Sequence, residues 1–137
     1  ISKPVDIKGK FYFDGGVADS IPVGYALKQN EKAVVILTRP RGYRKEKIKN
    51  ELLFKLAFRN HPEFLRSILS RSENYNQALE FCEQMEHAGK LMILAPSGDV
   101  SASRTEKSYE KLAALYHHGY EVMRDNLEKL TSFLDRD

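Results

Sequence analysis

The chain has 137 residues, of which 42% are hydrophobic and 30% are charged, a balance typical of a folded globular domain. Its longest apolar runs are strand-sized, far short of the ~20 residues that a membrane-spanning helix needs, which argues against a bilayer-spanning segment. A net charge of +3 gives only a slight preference for phosphate-bearing partners, and we expect no nucleic-acid partner.

The first predicted element is a strand over residues 7–13, in which Phe11 and Phe13 share one face and Tyr12 lies on the other. An aspartate and two glycines, residues 14–16, end this strand. In open α/β sheets, ligands bind beyond the carboxyl ends of the strands. The aspartate is therefore the first candidate for chemistry.

A helix and a second strand are predicted next. Pro22 suits the first turn of a helix that we expect to reach Lys28, with Asp19 or Ser20 as its cap. The run Ala33–Leu37 is apolar at every position, which is typical of a central strand covered on both faces. The order strand, helix, strand predicts parallel pairing and a right-handed crossover.

The middle of the chain is predicted to be helical. A first helix carries an apolar stripe of Ile48, Leu52, Leu53 and Leu56, and a second helix begins at Pro62. A third helix ends at Gly89 and carries Cys82 on its apolar face, where a cysteine is usually a small core residue and not a nucleophile. As the sole cysteine, Cys82 also excludes an internal disulfide and suits a reducing, cytoplasmic compartment.

The last third of the chain predicts a strand and two helices. The strand covers residues 91–95, and Ser103 and Glu106 form a capping-box pattern at a helix start. Gly119 is expected to break or bend that helix before a final amphipathic one. The predicted buried stripe of the first of these two helices consists of Tyr109, Leu112, Ala113 and Tyr116.

About three strands alternating with five to six helices predict an α/β fold with a mostly parallel sheet. Three strands are few for such a sheet, in which about five or six are usual. The chain begins with Ile1 and not with methionine. We therefore expect the chain to be a fragment whose remaining strands lie in an N-terminal part.

Three stretches, in order, resemble bacterial patatin-like phospholipases: residues 9–23, 34–40 and 111–120. The first reads Gly-Lys-Phe-Tyr-Phe-Asp-Gly-Gly-Val-Ala-Asp-Ser-Ile-Pro-Val. It looks like the segment of that family that carries the catalytic aspartate, in which a strand leads to Asp-Gly-Gly or Asp-Gly-Ala and then to a proline-opened helix.

The resemblance implies a three-layer α/β/α patatin-like fold, related to the α/β hydrolases, of which residues 1–137 form the C-terminal part. It implies a lipid acyl hydrolase with a serine–aspartate dyad, no cofactor and no metal. Asp14 takes the role of general base, while Gly15 and Gly16 keep its turn narrow enough to approach the nucleophile. A positioned base is what a serine hydroxyl needs to become nucleophilic.

The nucleophile of that family lies in a Gly-x-Ser-x-Gly elbow, and no serine of this chain has that context. Ser97 follows an apolar strand, but Ala95 and Asp99 stand where the glycines belong. The resemblance therefore predicts that this chain supplies half of a dyad and is inert alone. Its expected partners are the N-terminal half of the same protein, an acyl-ester substrate and a peripheral membrane surface.

Other interpretations of these residues stay open. Asp14 can be structural in a non-catalytic module that binds a lipid surface or a protein, and Gly15 with Gly16 can belong to a phosphate-binding turn. The basic run after the second strand is either a solvated face or a contact for anionic headgroups. The residues predicted for headgroup contact are Arg39, Arg41 and Arg44.

Histidines offer no metal site at this stage. His117 and His118 are adjacent, so on a helix they point about 100° apart and cannot chelate one metal ion as an i, i+4 pair can.

Overall fold

A computed structural model describes residues 4–97 and 106–135 of the chain. The described residues form two compact units, one from residues 4–22 and 44–81 and the other from residues 23–43, 82–97 and 106–135. The elements, in chain order, are β1 (Val5–Ile7), β2 (Lys10–Tyr12), α1 (Val23–Gln29), β3 (Ala33–Ile36), α2 (Glu51–Ala57), α3 (Pro62–His87), β4 (Leu91–Leu94), α4 (Tyr109–Asp125) and α5 (Leu127–Leu134).

The first unit opens with a hairpin in which β1 and β2 pair antiparallel, with Ile7 opposite Lys10. Lys8 and Gly9 connect the strands, and both have positive φ, at 54° and 77°. Two successive residues with positive φ are the mark of a two-residue turn that matches the twist of its strands. The Asp6 carboxylate accepts a hydrogen bond from the Gly9 amide at 2.9 Å and fixes this turn.

The core of the first unit forms along the N-terminal part of α3, where Ile68 and Leu79 are buried. The loop before α2 is tied to α3 by one side chain, because Asn76 accepts from the Lys45 amide at 2.8 Å and donates to the Lys45 carbonyl at 3.1 Å. The Lys45 ammonium group also lies 4.2 Å from the centre of the Tyr75 ring. Both backbone groups of Lys45 are thereby satisfied.

In the second unit β3 and β4 form a parallel pair, with Ala33 opposite Leu91 and Ile36 opposite Leu94. All four residues of β4 are buried, whereas the Ile36 side chain of β3 is 75% exposed. Cys82, from the C-terminal part of α3, is fully buried, as its position on the apolar face predicts. β4 is therefore the more buried of the two strands, and β3 is less covered than its continuous apolarity predicts.

Within residues 4–97 and 106–135, an ion pair and not a third strand lies along the outer edge of β4. Ile93 donates its amide to Glu86 at 2.9 Å and its carbonyl accepts from Arg41 at 2.7 Å. Arg41 and Glu86 in turn share two hydrogen bonds, at 2.6 and 2.7 Å. The backbone groups that an additional strand would use at Ile93 are therefore occupied.

These observations overturn the predicted three-layer α/β/α fold with about three mostly parallel strands. The described residues form two separate two-stranded sheets, one antiparallel and one parallel. The predicted strand over residues 7–13 is wrong because Gly9 lies within a turn, so the segment pairs with the residues before it. The parallel pair joins residues 33–36 to 91–94, and the ion pair at Ile93 occupies the outer edge of β4.

The helices also differ from expectation. The two helices predicted between Pro62 and Gly89 are one continuous helix, α3, of 26 residues. α4 runs through Gly119 without a break and ends at Asp125, since an isolated glycine costs a helix only about 1 kcal/mol. The start and end signals at Pro62 and Gly89 are confirmed, and Gly89 has the positive φ of 71° typical of a helix C-terminus.

The capping residues of α4 are displaced from the predicted ones. Ser103 lies outside the described residues, and Ser108 is the N-cap, accepting from the Lys111 amide at 3.4 Å. Glu106 precedes the helix and accepts from the amides of Lys107 and Ser108, each at 3.0 Å. These hydrogen bonds, first that of Ser108, lower the pKa of the Glu106 carboxyl group.

The predicted buried stripe of α4 is largely exposed. Tyr109, Leu112 and Tyr116 face solvent, while Leu115, His118 and Val122 are half-buried. The apolar stripe of α2 is exposed in the same way, at Leu52, Leu53 and Leu56. Among the helices of residues 4–97 and 106–135, none has the length and apolarity to cross a bilayer.

Candidate active site

Asp14 lies just after the β1–β2 hairpin, at the start of a short 3₁₀ turn formed by Gly15–Val17. Its side chain caps this turn, because Oδ1 accepts from the Gly16 amide at 2.9 Å. Its own carbonyl accepts from the Val17 amide at 3.0 Å. Asp14 is thus positioned by a strand end and a tight turn, although the strand is antiparallel and not part of an α/β sheet.

The two glycines of this turn differ in their surroundings. A Cβ added at Gly16 would lie 3.3 Å from Asp14 Oδ1, whereas one added at Gly15 would meet nothing within 4 Å. Neither residue has a left-handed φ. A side chain at Gly16 would therefore crowd the Asp14 carboxylate, whereas the backbone conformation of neither glycine excludes other residues.

The carbonyl oxygen of Gly16 accepts two hydrogen bonds. Arg71 of α3 donates from Nε at 3.0 Å, and Ser20 donates from its hydroxyl at 2.6 Å. The sequence analysis did not identify Arg71. Its position carries a signal, because it follows Ile68 by three residues and precedes Tyr75 by four, which places a charged side chain on the apolar face of a helix. Arg71 fixes the turn that presents Asp14.

Aromatic packing anchors the residue just before Asp14. The Phe13 ring stacks on Phe64 with the ring centres 3.5 Å apart and meets the His61 ring edge-on at 6.2 Å. Phe58 contacts Phe64 in turn, at 5.1 Å. The backbone on both sides of Asp14 is therefore attached to α3, by Phe13 before it and by Gly16 after it.

The Asp14 carboxylate itself is exposed. Among the described residues its hydrogen-bond donor is the Gly16 amide, to Oδ1, so Oδ2 remains available to accept a proton from an incoming hydroxyl group. Ser20, Ser67 and Ser70 donate to backbone carbonyls, and within the described part of the chain no serine is bonded to Asp14. The arrangement offers a base and lacks a nucleophile.

Asp19 and Ser20, predicted as caps of α1, have local roles before the helix. Asp19 accepts from the Ile21 amide at 3.2 Å, and Ser20 supports Gly16 as described above. α1 then begins at Val23, one residue after Pro22, close to the predicted start.

The three arginines predicted for headgroup contact are used differently. Arg41 forms the ion pair with Glu86, which raises the pKa of Arg41 and, through their hydrogen bonds, lowers the pKa of Glu86. Arg39 lies 5.6 Å from the centre of the Tyr43 ring. Arg39 and Arg41 belong to the second unit and Arg44 to the first.

The second unit holds a serine–histidine contact that the sequence did not suggest. The Ser97 amide donates to His118 Nε2 at 2.9 Å, and the Ser97 hydroxyl lies 3.3 Å from the same nitrogen. Ser97 follows β4 by three residues and His118 lies on α4, 21 positions later. A contact across that separation leaves no short-range signal in the sequence.

Within the described ranges, no three His, Cys, Asp or Glu side chains lie close enough together to hold a metal ion. The Cys82 thiol is also a poor nucleophile, because burial, reinforced by Glu83 and Glu86, raises its pKa to about 11.

Comparison with protein families matches residues 61–135 to a domain of unknown function, DUF6363, over more than half of the chain. The chain belongs to the DUF6363 family. The DUF6363 match covers all of α3, β4, α4 and α5, and Asp14 lies before it. Comparisons with curated proteins and with solved structures gave no significant match.

Proposed function

We propose that this chain supplies the general base, Asp14, of a serine lipid acyl hydrolase. The observation that supports the proposal is the exposed Asp14 carboxylate, held through one oxygen by Gly16 on a turn that Arg71 and Phe13 anchor. The sequence around it resembles the aspartate segment of patatin-like phospholipases. Precise placement matters here because the base must lie within hydrogen-bond reach of the proton it removes.

In the proposed reaction Asp14 accepts the proton of a serine hydroxyl as the serine oxygen attacks the ester carbonyl. The tetrahedral intermediate collapses, the alcohol leaves with the proton from Asp14, and an acyl-enzyme remains. Water then attacks the acyl-enzyme while Asp14 again accepts and returns a proton, which releases the fatty acid. The nucleophilic serine comes from an N-terminal part of the protein, and no cofactor or metal takes part.

The first test of this proposal measures hydrolysis of p-nitrophenyl octanoate by the chain alone and by the chain joined to the segment that precedes it in its natural protein. We expect no Asp14-dependent turnover by the chain alone and turnover by the joined protein. Ester hydrolysis by the purified chain that survives Asp14→Ala would overturn the proposal.

A second candidate function is that of a non-catalytic module that binds an anionic lipid surface. The exposed leucines of α2, which lie among basic residues, favour it. Leu52, Leu53 and Leu56 of α2 are 78%, 64% and 66% exposed. The stretch 44–59 around them contains six basic and only two acidic residues. Exposed leucines and clustered cations both favour an anionic bilayer, with each basic residue contributing about 1 kcal/mol near its surface.

Vesicle flotation tests the lipid-surface function. We expect the chain to float with vesicles that contain phosphatidylserine and not with pure phosphatidylcholine. Replacing Leu52, Leu53 and Leu56 by serine should lower partitioning at least about tenfold, because burying one leucine contributes roughly 1.5–3 kcal/mol. The matched control replaces Leu127 and Leu134, exposed leucines of α5, by serine. Equal partitioning of both variants and wild type would exclude α2 as the contact.

We place the protein in the cytoplasm under either function. The sequence contains one cysteine, Cys82, and its burial leaves it without access to a disulfide partner, which suits a reducing compartment.

A further inference from the structure

We propose that the second unit binds a single aliphatic chain with one oxygen head group, a medium-chain alcohol or carboxylate, in a cavity of about 300 Å³. The cavity lies where β3 and β4 end, against α4. Carboxyl ends of parallel strands are where α/β units commonly bind ligands. Its volume is at the lower end of the range for small-molecule sites, which fits one short chain and not a complete phospholipid.

The lining of the cavity selects an aliphatic ligand. Strand and loop residues line one side and α4 lines the other, and none of the lining side chains carries a carboxylate, an ammonium or a guanidinium group. Apolar surface of this kind favours methylene groups over polar ones. The principal apolar side chains are Ile36, Leu37, Leu94, Leu115, Val122 and Met123.

Two polar side chains line the cavity, Thr38 and His118, and His118 is held by Ser97, which lies outside the lining. Because His118 Nε2 accepts the Ser97 amide at 2.9 Å, that nitrogen has its lone pair and the ring is fixed in place. The Thr38 hydroxyl, on the cavity lining, can donate to a ligand oxygen. An alcohol accepts this bond at a lower desolvation cost than a carboxylate.

This site is independent of the proposed hydrolase function. The cavity belongs entirely to the second unit, whereas Asp14 belongs to the first. Asp14→Asn should therefore leave binding unchanged, and failure of either proposal leaves the other standing.

Methyl NMR of the full chain provides a direct test, since the chain has three methionines and Met123 lines the cavity. With ¹³C-methyl methionine, 1-octanol should shift the Met123 signal saturably, and Met85 serves as an internal reference outside the cavity lining. Each buried methylene strengthens binding about fourfold, so 1-octanol should bind more than about tenfold tighter than 1-butanol. Octanoate, tested in parallel, distinguishes a neutral head group from a charged one.

Two variants define the site. Gly119→Leu should abolish binding by filling the cavity, because a Cβ added at Gly119 meets nothing within 4 Å and the helix gains a better helix former. Thr38→Val should weaken 1-octanol binding about fivefold, the value of one hydrogen bond, whereas Thr131→Val on α5, outside the lining, should not. Circular dichroism verifies that each variant keeps its helices.

An unchanged Met123 signal with both octanol and octanoate, or equal binding by Gly119→Leu and wild type, would overturn the site. Equal binding by Thr38→Val and wild type would overturn the assignment of the head group.

Discussion

At the scale of single residues, the functional argument depends on the pair Asp14 and Gly16. The identity of Asp14 as a site residue is a prediction from the sequence, because an aspartate followed by two glycines stands out between a strand and a helix. What the sequence does not reveal is which glycine matters. Only the distance from Gly16 to Asp14 Oδ1 distinguishes the two.

Alanine substitutions at the two glycines should therefore differ in their effect on stability. Gly15→Ala should stabilise the chain by about 0.4–1 kcal/mol, since it restricts the unfolded state and meets open space. Gly16→Ala should stabilise the chain less than Gly15→Ala or should destabilise it, because the added methyl group would crowd the Asp14 carboxylate. Urea unfolding of the two variants measures the difference, and a larger stabilisation from Gly16→Ala would contradict this account of the turn.

At the scale of elements, the ion pair of Arg41 with Glu86 decides how the parallel sheet ends. Sequence patterns identify β3, β4 and α1 because their signals are local, in apolar runs and a proline. The edge closure is not predictable in this way, since Arg41 and Glu86 are 45 positions apart. The hairpin could have been predicted, because Gly9 marks its turn. The alternation of Phe11, Tyr12 and Phe13 instead favours a single longer strand.

Acidification should weaken this closure. The pKa of Glu86 lies below its usual value of 4.5, first because Arg41 donates hydrogen bonds to its carboxylate. The ionised Glu86 therefore stabilises the fold fully above pH 4.5, and this stabilisation is lost as the pH falls through the lowered pKa. Glu86→Gln should lower the free energy of unfolding by about 1 kcal/mol at pH 7, a small value because Arg41 is half-exposed. The free energy of unfolding of this variant should also fall less than that of wild type when the pH is lowered.

The control for this substitution is Glu121→Gln, at an exposed carboxylate on α4. Urea unfolding of wild type and both variants between pH 7 and roughly pH 3 gives the comparison. If Glu86→Gln lost as much stability on acidification as wild type does, the edge closure would not depend on the charge of Glu86.

At the scale of the whole molecule, the two proposed sites lie in different units. The first presents Asp14 and the exposed leucines of α2, and the second contains most of the DUF6363 match and the apolar cavity. The predicted single sheet was wrong because strand order depends on pairing over long separations, which periodicity does not encode. The turn at Asp14 was predictable because its residues lie within one short stretch.

The most direct test of the central claim is the turnover number of the complete protein with Asp14→Asn, compared with Asp19→Asn. Asparagine keeps the shape of the side chain and cannot take up a proton as a base does, so we expect kcat to fall by about 10²–10⁴ with KM little changed. Asp19, five residues later, makes a local turn and should be replaceable with an effect within about twofold. Equal activity of the two variants would contradict the assignment of Asp14 as the general base.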